Sequence, residues 1–173
     1  MSGYNPTKLM PLRRPAKNRI SSDQQADPGA VRLAAITLLA RRDFGAGELC
    51  RKLLERGFAE ETCRDVLADL AASGLLNETR YVETYVTAHA GRGQGPVRIG
   101  ADLRRNGVPD ALIEQGLAAP DWIELARKAR RAKFGARPPQ DWAEKARQAR
   151  FLQYRGFSAD HIRAATGADP DLD

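Results

Sequence analysis

The amino-acid sequence repeats itself with a period of about 50 residues. The pattern Leu-x-x-x-Gly, followed by Phe or Val, occurs at Gly57, Gly107 and Gly156, so the glycines are 50 and then 49 residues apart. A fixed period of this length is typical of chains built from repeated structural modules. The repeat predicts three modules, because apolar residues also recur eight or seven positions before each glycine (Leu49, Ile99, Ala149) and six positions after it (Cys63, Ile113, Ile162).

Each module has the residue spacing of short α-helices. Apolar side chains recur three and four positions apart, and no segment shows the alternation of a β-strand. The glycine of each repeat stands where a left-handed helix cap favours a residue without Cβ. Helices are predicted over 30–42, 48–56 and 60–73, and again over 79–90, 97–106 and 109–118; further apolar stripes begin at Trp122 and Trp142, on either side of a Pro138-Pro139 loop, and Ser158 is expected to cap the last helix.

The predicted fold class is all-α, with three tandem three-helix modules of about 50 residues stacked into an elongated, curved array. A unit of this size buries too little surface to be stable alone, so neighbouring modules should pack together. The N-terminal segment is rich in proline and polar residues and is expected to be disordered. The predicted organisation is a disordered basic arm at 1–27, modules at 28–76, 77–120 and 121–167, and an acidic tail at 168–173.

Positive charge is concentrated in the third module. The chain has 28 Lys and Arg against 22 Asp and Glu, which gives a formal net charge of +6. Residues 28–120 carry twelve charges of each sign, whereas residues 121–156 carry ten basic and four acidic side chains. Any contact with a polyanion is therefore expected in module 3.

Basic and aromatic side chains share helix faces in this module. Arg127, Arg131 and Phe134 follow one another at helical spacing opposite an apolar stripe, and Arg147, Arg150 and Tyr154 repeat the arrangement. Such faces suit phosphate contact combined with base stacking or protein anchoring; alternatively, they are solvated, with Phe134 and Tyr154 packed on a neighbouring module. The candidate contact residues are Arg127, Arg130, Arg131, Lys133, Lys145, Arg147, Arg150 and Tyr154, together with Arg98, Arg104 and Arg105 in module 2.

The sequence contains no recognisable catalytic or metal-binding constellation. Cys50 and Cys63 form no CxxC motif, and His89 and His161 have neither metal-ligand nor triad spacing with other residues. The glycine-rich segment 91–95 follows a predicted helix and does not match the GxxxxGK[ST] pattern of a phosphate-binding loop. We therefore expect no enzymatic activity, no metal and no cofactor.

The chain shows no sign of a membrane anchor. Its longest mostly apolar run, 33–40, has eight residues, whereas a membrane-spanning helix needs about 20. The basic N-terminal residues are not followed by the apolar stretch of a secretory signal. A cytoplasmic protein without membrane contact is expected.

Four short motifs run along the modules. They are Glu48-Leu49, Leu53-Leu54 and Arg56-Gly57-Phe58 in module 1; Leu76-Asn77-Glu78-x-x-Tyr81-Val82 at the link; Gly95, Ile99, Leu103, Gly107 and Val108 in module 2; and Arg155-Gly156-Phe157-Ser158 in module 3. Over residues 30–167 these motifs resemble the RecX regulatory proteins, which modulate the RecA recombinase. Glu78 and Val82 depart from that family's usual Asp and Ala.

The resemblance implies a non-enzymatic protein that binds RecA filaments on single-stranded DNA. It implies inhibition of the ATPase, strand-exchange and co-protease activities of RecA, and so an influence on recombination, DNA repair and the SOS response. We expect the protein itself to be a monomer. The expected partners are the RecA filament and single-stranded DNA, with duplex DNA as an extension. The alternative is a direct DNA-binding or transcriptional regulator, because short helices joined by a Gly-Phe turn imitate a helix-turn-helix.

Overall fold

The computed structural model describes residues 25–167, and this part of the chain consists of helices joined by short turns. It contains no β-strand within that range. The helices are α1 (Pro28–Leu39), α2 (Ala46–Glu55), α3 (Glu60–Ala72), α4 (Glu78–Gly91), α5 (Pro96–Arg105), α6 (Asp110–Ala118), α7 (Trp122–Phe134), α8 (Trp142–Arg155) and α9 (Ala159–Thr166).

The helices pack in three groups of three. Helices α1–α3 form module 1, α4–α6 form module 2 and α7–α9 form module 3, and the extensive helix-to-helix packing lies within these groups. The all-α class and the tandem three-helix modules predicted from the repeat are confirmed.

The repeated Leu-x-x-x-Gly pattern marks the turn between the second and third helix of each module. Gly57, Gly107 and Gly156 have φ values of +97°, +81° and +89°, in the left-handed region that favours glycine. The residue after each glycine donates its N–H to the carbonyl of the repeated leucine, at 3.3, 3.1 and 3.1 Å, and its side chain is buried. The spacing therefore belongs to a Schellman-type helix end with its apolar contact.

The buried side chains form two hydrophobic cores. Module 1 has a core of its own, whereas modules 2 and 3 share a continuous one. The first contains Val31, Ala35, Leu38, Phe44, Leu49, Leu53, Phe58, Cys63, Val66, Leu67, Leu70 and Leu76. The second contains Tyr81, Val82, Val86, Ala90, Ile99, Leu103, Val108, Ile113, Trp122, Ala126, Ala149, Leu152, Phe157 and Ile162.

Successive modules approach one another through glycine. A Cβ added at Gly47, in the first turn of α2, would lie 2.3 Å from the carbonyl oxygen of Asn106 in module 2. A Cβ added at Gly95, before α5, would lie 2.3 Å from the carbonyl oxygen of Gly156 in module 3. The start of the second helix in one module thus rests on the glycine turn of the next, at a distance that excludes side chains.

The structure differs from the sequence prediction in three local features. Trp142 is 69% exposed and lies outside the core stripe that it was expected to start. Pro109 is the N-cap of α6 and not its first helical residue. Asp27, placed by the prediction in the N-terminal arm, caps α1 by accepting a hydrogen bond from the N–H of Gly29, while residues 1–24 and the predicted tail at 168–173 lie outside the described residues.

Candidate functional site

The face of α8 that points away from the core carries cations and an aromatic ring. Arg147, Arg150 and Tyr154 are all exposed and lie opposite the buried Ala149 and Leu152. Tyr154 is 81% exposed, so it does not pack on a neighbouring module as the alternative interpretation required. This face presents two guanidinium groups and a phenol to solvent, which suits contact with phosphate and with planar groups.

One ring–ring contact and two cation–π contacts lie beside this face. The rings of Phe134, at the end of α7, and Phe151, on α8, meet edge to face with centroids 5.3 Å apart. Arg147 lies over Phe134 and Arg155 lies over Phe151, with 5.5 and 5.3 Å from the guanidinium carbon to the ring centroid. Phe134 therefore packs within its own module and orients Arg147 through a cation–π contact.

Arg130 is the exception among the predicted contact residues of α7. It is only 6% exposed, and its guanidinium donates to the carbonyls of Ala136 and Arg137 and to the side chain of Gln148. These bonds satisfy carbonyls in the loop between α7 and α8. Arg130 thus holds that loop in place by hydrogen bonds, and its side chain is not available to a macromolecular partner.

Other predicted residues are exposed but have intramolecular acidic partners. Arg131 pairs with Glu124 on the same helix, and in module 2 Arg104 pairs with Asp110 at 2.6 Å and Arg105 with Asp102. These ion pairs reduce the charge that the three arginines offer. Among the described residues, no carboxylate lies within ion-pair distance of Arg98, Arg127, Lys133, Lys145, Arg147 or Arg150.

A polar cluster, defined by Glu48, Tyr81 and Asn106, connects modules 1 and 2. The Tyr81 hydroxyl donates to the Glu48 carboxylate at 3.4 Å and accepts from the Asn106 amide at 3.1 Å. Burial, reinforced by the charge of Glu48, raises the pKa of Tyr81 to about 12. Arg42 completes the neutralisation of Glu48 by a 2.5 Å ion pair. The cluster is fully partnered and serves to join the two modules.

The remaining candidate groups have structural partners. His89 stacks on Tyr85 and hydrogen-bonds Gln94, and His161 forms a capping box with Ser158, which confirms the predicted cap of α9. Burial raises the pKa of both Cys50 and Cys63, which lowers the reactivity of the thiols. In the described range, no three His, Cys, Asp or Glu side chains are grouped to hold a metal ion, and none of its helices could span a membrane.

Family models identify the three modules. Models described as the first, second and third three-helix domains of RecX match residues 32–70, 77–117 and 120–166. The chain belongs to the RecX family. The family resemblance drawn from the sequence motifs is thereby confirmed.

Similar proteins cover almost the whole of the matched region. The chain is 47% identical over 154 residues to "Regulatory protein RecX" of Halorhodospira halophila, covering 88% of this chain and 96% of that protein. It is 44% identical over 146 residues to the protein of the same name from Ectopseudomonas mendocina, covering 83% and 97%. These RecX relatives are named as regulatory proteins.

Crystal structures of RecX proteins share the fold. RecX from Lactobacillus salivarius aligns with a TM-score of 0.70 at 20% identity, covering 88% of this chain and 100% of that one. A second RecX crystal structure aligns with a TM-score of 0.64, also at 20% identity, covering 80% of this chain and 72% of that one.

Three cations outside the predicted set lie beside the junction of modules 2 and 3: Arg92, Lys128 and Arg155. Lys128 on α7 and Arg155 at the end of α8 both face the end of α4 in module 2. The face of a single helix does not reveal them, because they belong to a surface that two modules form together. The available signal was the Arg155-Gly156 motif, since the repeat places that glycine at a turn.

Proposed function

We propose that this RecX-family chain is a regulator that binds RecA filaments on single-stranded DNA and inhibits RecA ATP hydrolysis, strand exchange and co-protease activity. The observation that carries the proposal is the α8 face, where Arg147, Arg150 and Tyr154 are exposed on a regular helix and no described carboxylate pairs with the arginines. RecA is inferred as the partner from family membership, because the relatives are named regulatory protein RecX.

The charge distribution supports a contact of this kind. A RecA–DNA filament is a long polyanion with acidic and phosphate groups, and unpaired exposed cations steer a partner toward such a surface. Modules 2 and 3 share a core, so the α8 face is presented on a support larger than one module. Binding across adjacent filament subunits would then oppose the changes that accompany ATP hydrolysis and strand exchange.

The first experiment is to measure ATP hydrolysis by RecA on single-stranded DNA while the chain is titrated well below one copy per RecA monomer. Strong inhibition is expected, because one bound molecule affects several subunits of a filament. Absence of inhibition by the folded protein, together with sequence-selective duplex binding without RecA, would instead indicate a direct transcriptional regulator.

The contribution of the basic surface is tested by charge reversal. Replacing Arg127, Arg147 and Arg150 with Glu should abolish inhibition while circular dichroism shows unchanged helicity. The matched control replaces three exposed arginines of module 1, Arg32, Arg41 and Arg56, and should inhibit like the parent. Equal inhibition by both triple variants would reject the assignment to module 3.

A further inference from the structure

A groove separates modules 2 and 3 on the side where α4 ends. The last turn of α4 and the residues after it, Gly91 to Gly93, form one wall, and α7 and α8 form the other. The groove has a cavity volume of about 270 Å³. It is a shared feature of two modules, separate from the outward face of α8.

All the charged side chains that line this groove are basic. They are Arg92 from module 2 and Lys128, Lys133 and Arg155 from module 3. No carboxylate is among the described lining residues, and none of the four cations forms an ion pair within residues 25–167. Four unneutralised cations around one small cavity create a positive potential that favours an anion.

The walls combine an aromatic surface with small residues. Phe151 contributes its ring, and the guanidinium of Arg155 lies 5.3 Å from the ring centroid. Arg155 also donates to the carbonyl of Arg92 at 3.4 Å, which links the two walls. Leu125 adds an apolar side chain to the wall, whereas Gly91, Ala129 and Ala132 leave space beside it.

We infer that this groove binds single-stranded DNA, with the phosphodiester backbone on Arg92, Lys128 and Lys133 and a base against Phe151 and Arg155. In a single strand an unpaired base lies next to each phosphate, so the phosphate can contact the cations while the base stacks on the aromatic ring. A duplex keeps its bases stacked inside, and an acidic protein segment offers charge without a base plane. The inference rests on the proposed function for its biological setting, but binding itself is measurable without RecA.

The test uses the full chain and a fluorescently labelled oligodeoxythymidylate, with anisotropy measured over a range of salt concentrations. In Arg92→Gln/Lys128→Gln, affinity should fall about tenfold at low salt. The slope of log affinity against log salt should become shallower by roughly 1.4, because each lost single-strand phosphate contact removes about 0.7.

The matched control is Arg41→Gln/Arg56→Gln, which removes the same charge from exposed positions of module 1. It should keep the parental affinity and salt slope. If both double variants lose affinity equally, binding follows overall charge and the groove assignment is overturned. Parental binding by Arg92→Gln/Lys128→Gln overturns it as well.

A second variant fills the groove without a change of charge. Ala132 is an exposed helical residue on the groove wall, so Ala132→Leu should weaken oligodeoxythymidylate binding severalfold while helicity and melting temperature are kept. Ala111→Leu, an exposed site on α6, is the control and should bind like the parent. Undiminished binding by Ala132→Leu contradicts a strand within the cavity.

Two competitors identify the ligand class. Unlabelled single strand should displace the probe more efficiently than a duplex of the same length, and a poly-glutamate peptide should displace it poorly. Effective displacement by poly-glutamate would replace the DNA assignment with an acidic protein partner.

The RecA assay separates this inference from the proposed function. If Arg92→Gln/Lys128→Gln loses RecA inhibition yet binds single strands normally, the groove inference fails and the proposed function stands. If the parent binds single strands through the groove but does not inhibit RecA, the proposed function fails and the groove inference stands.

Discussion

Each module junction brings a glycine near the start of a second helix against the glycine turn of the next module, but the two junctions are held together differently. At the junction of modules 2 and 3, the N–H groups of Gly95 and Val97 donate to the carbonyls of Arg155 and Gly156 at 2.9 and 3.0 Å. At the junction of modules 1 and 2, the described residues form no such backbone bonds. Side chains connect that junction, including Glu78 to the N–H of Ala46, Arg80 to Asp43, Arg51 to Asn106, and the polar cluster.

The difference in linkage matches the difference in core. Modules 2 and 3 share a continuous hydrophobic core, so their separation would expose apolar surface and break backbone hydrogen bonds. Module 1 has its own core, so it can move relative to module 2 mainly at the expense of polar contacts. We expect modules 2 and 3 to unfold as one unit and module 1 to be the more independent part.

The largest effect is expected from Gly95→Ala. Its Cβ would lie 2.3–2.4 Å from the backbone of Gly156 and Phe157, so the variant should lower the free energy of unfolding by about 3 kcal/mol. Gly47→Ala should cost less although its clash with Asn106 is as close, because module 1 can shift without opening a shared core. Urea denaturation monitored by hydrogen exchange measures the loss of stability in each of the two variants. Equal costs would contradict the difference between the junctions.

A smaller effect is expected from Gly107→Val, about 2 kcal/mol, because a branched residue would be forced to a φ of +81°. Gly57→Val is the control. It has a φ of +97°, but no atom lies within 4 Å of its added Cβ, whereas a Cβ at Gly107 would lie 3.3 Å from Gly47. Thermal denaturation should show a greater loss of stability in Gly107→Val than in Gly57→Val. No loss in either variant would contradict the left-handed caps.

Tyr81→Phe should lower the free energy of unfolding by about 1 kcal/mol, because it leaves Glu48 and Asn106 without their shared partner. The pH dependence provides a second readout. Folding raises the pKa of Tyr81 from its ordinary value of 10 to about 12, so the unfolded chain ionises first and stability should fall from pH 10 to 12. Chemical denaturation across that range should show a smaller fall in Tyr81→Phe. An identical fall in the parent and in Tyr81→Phe would show that the ionisation of other groups causes it.

The smallest effect is expected from Asp43→Asn, which removes the 2.7 Å ion pair with Arg80 across the first junction. Arg80 is exposed and Asp43 is partly buried, so the pair lies near the surface, where salt screens it. Hydrogen exchange in α1–α3 should become slightly faster at low salt and match the parent at 1 M salt. The control Asp110→Asn removes a pair within module 2 and should leave exchange in α1–α3 unchanged.

The fold was largely predictable because its determinants are local. The spacing from Leu103 to Gly107 and Val108 specifies a helix end, a left-handed residue and an apolar contact, all within six residues. The role of Gly95 and Gly47 was not predictable, because the backbone they touch lies about 60 residues away along the chain. Trp142 was misassigned to the core for a related reason, since helical periodicity does not show where a helix extends beyond its neighbours.

The candidate site was predictable only in part. The exposed face with Arg147, Arg150 and Tyr154 follows from the angular positions of residues on one helix. Arg130 has the same sequence character as its neighbours, but the returning α7–α8 loop buries it, and no local pattern encodes that loop's path. The groove joins Arg92 with Arg155, and their proximity depends on how two modules stack.

The start of α8 differs from the start of its counterparts. Helices α2 and α5 have 10 residues and carry, in the first turn or at the N-cap, a glycine that touches the next module, whereas α8 has 14 residues and contains no glycine. Its extra turn projects Trp142 into solvent. A duplicated module added beyond module 3 would therefore lack the bare backbone on which the other two rest. Packing of a further module onto α8 by the same contact would require loss of that turn together with a substitution to glycine.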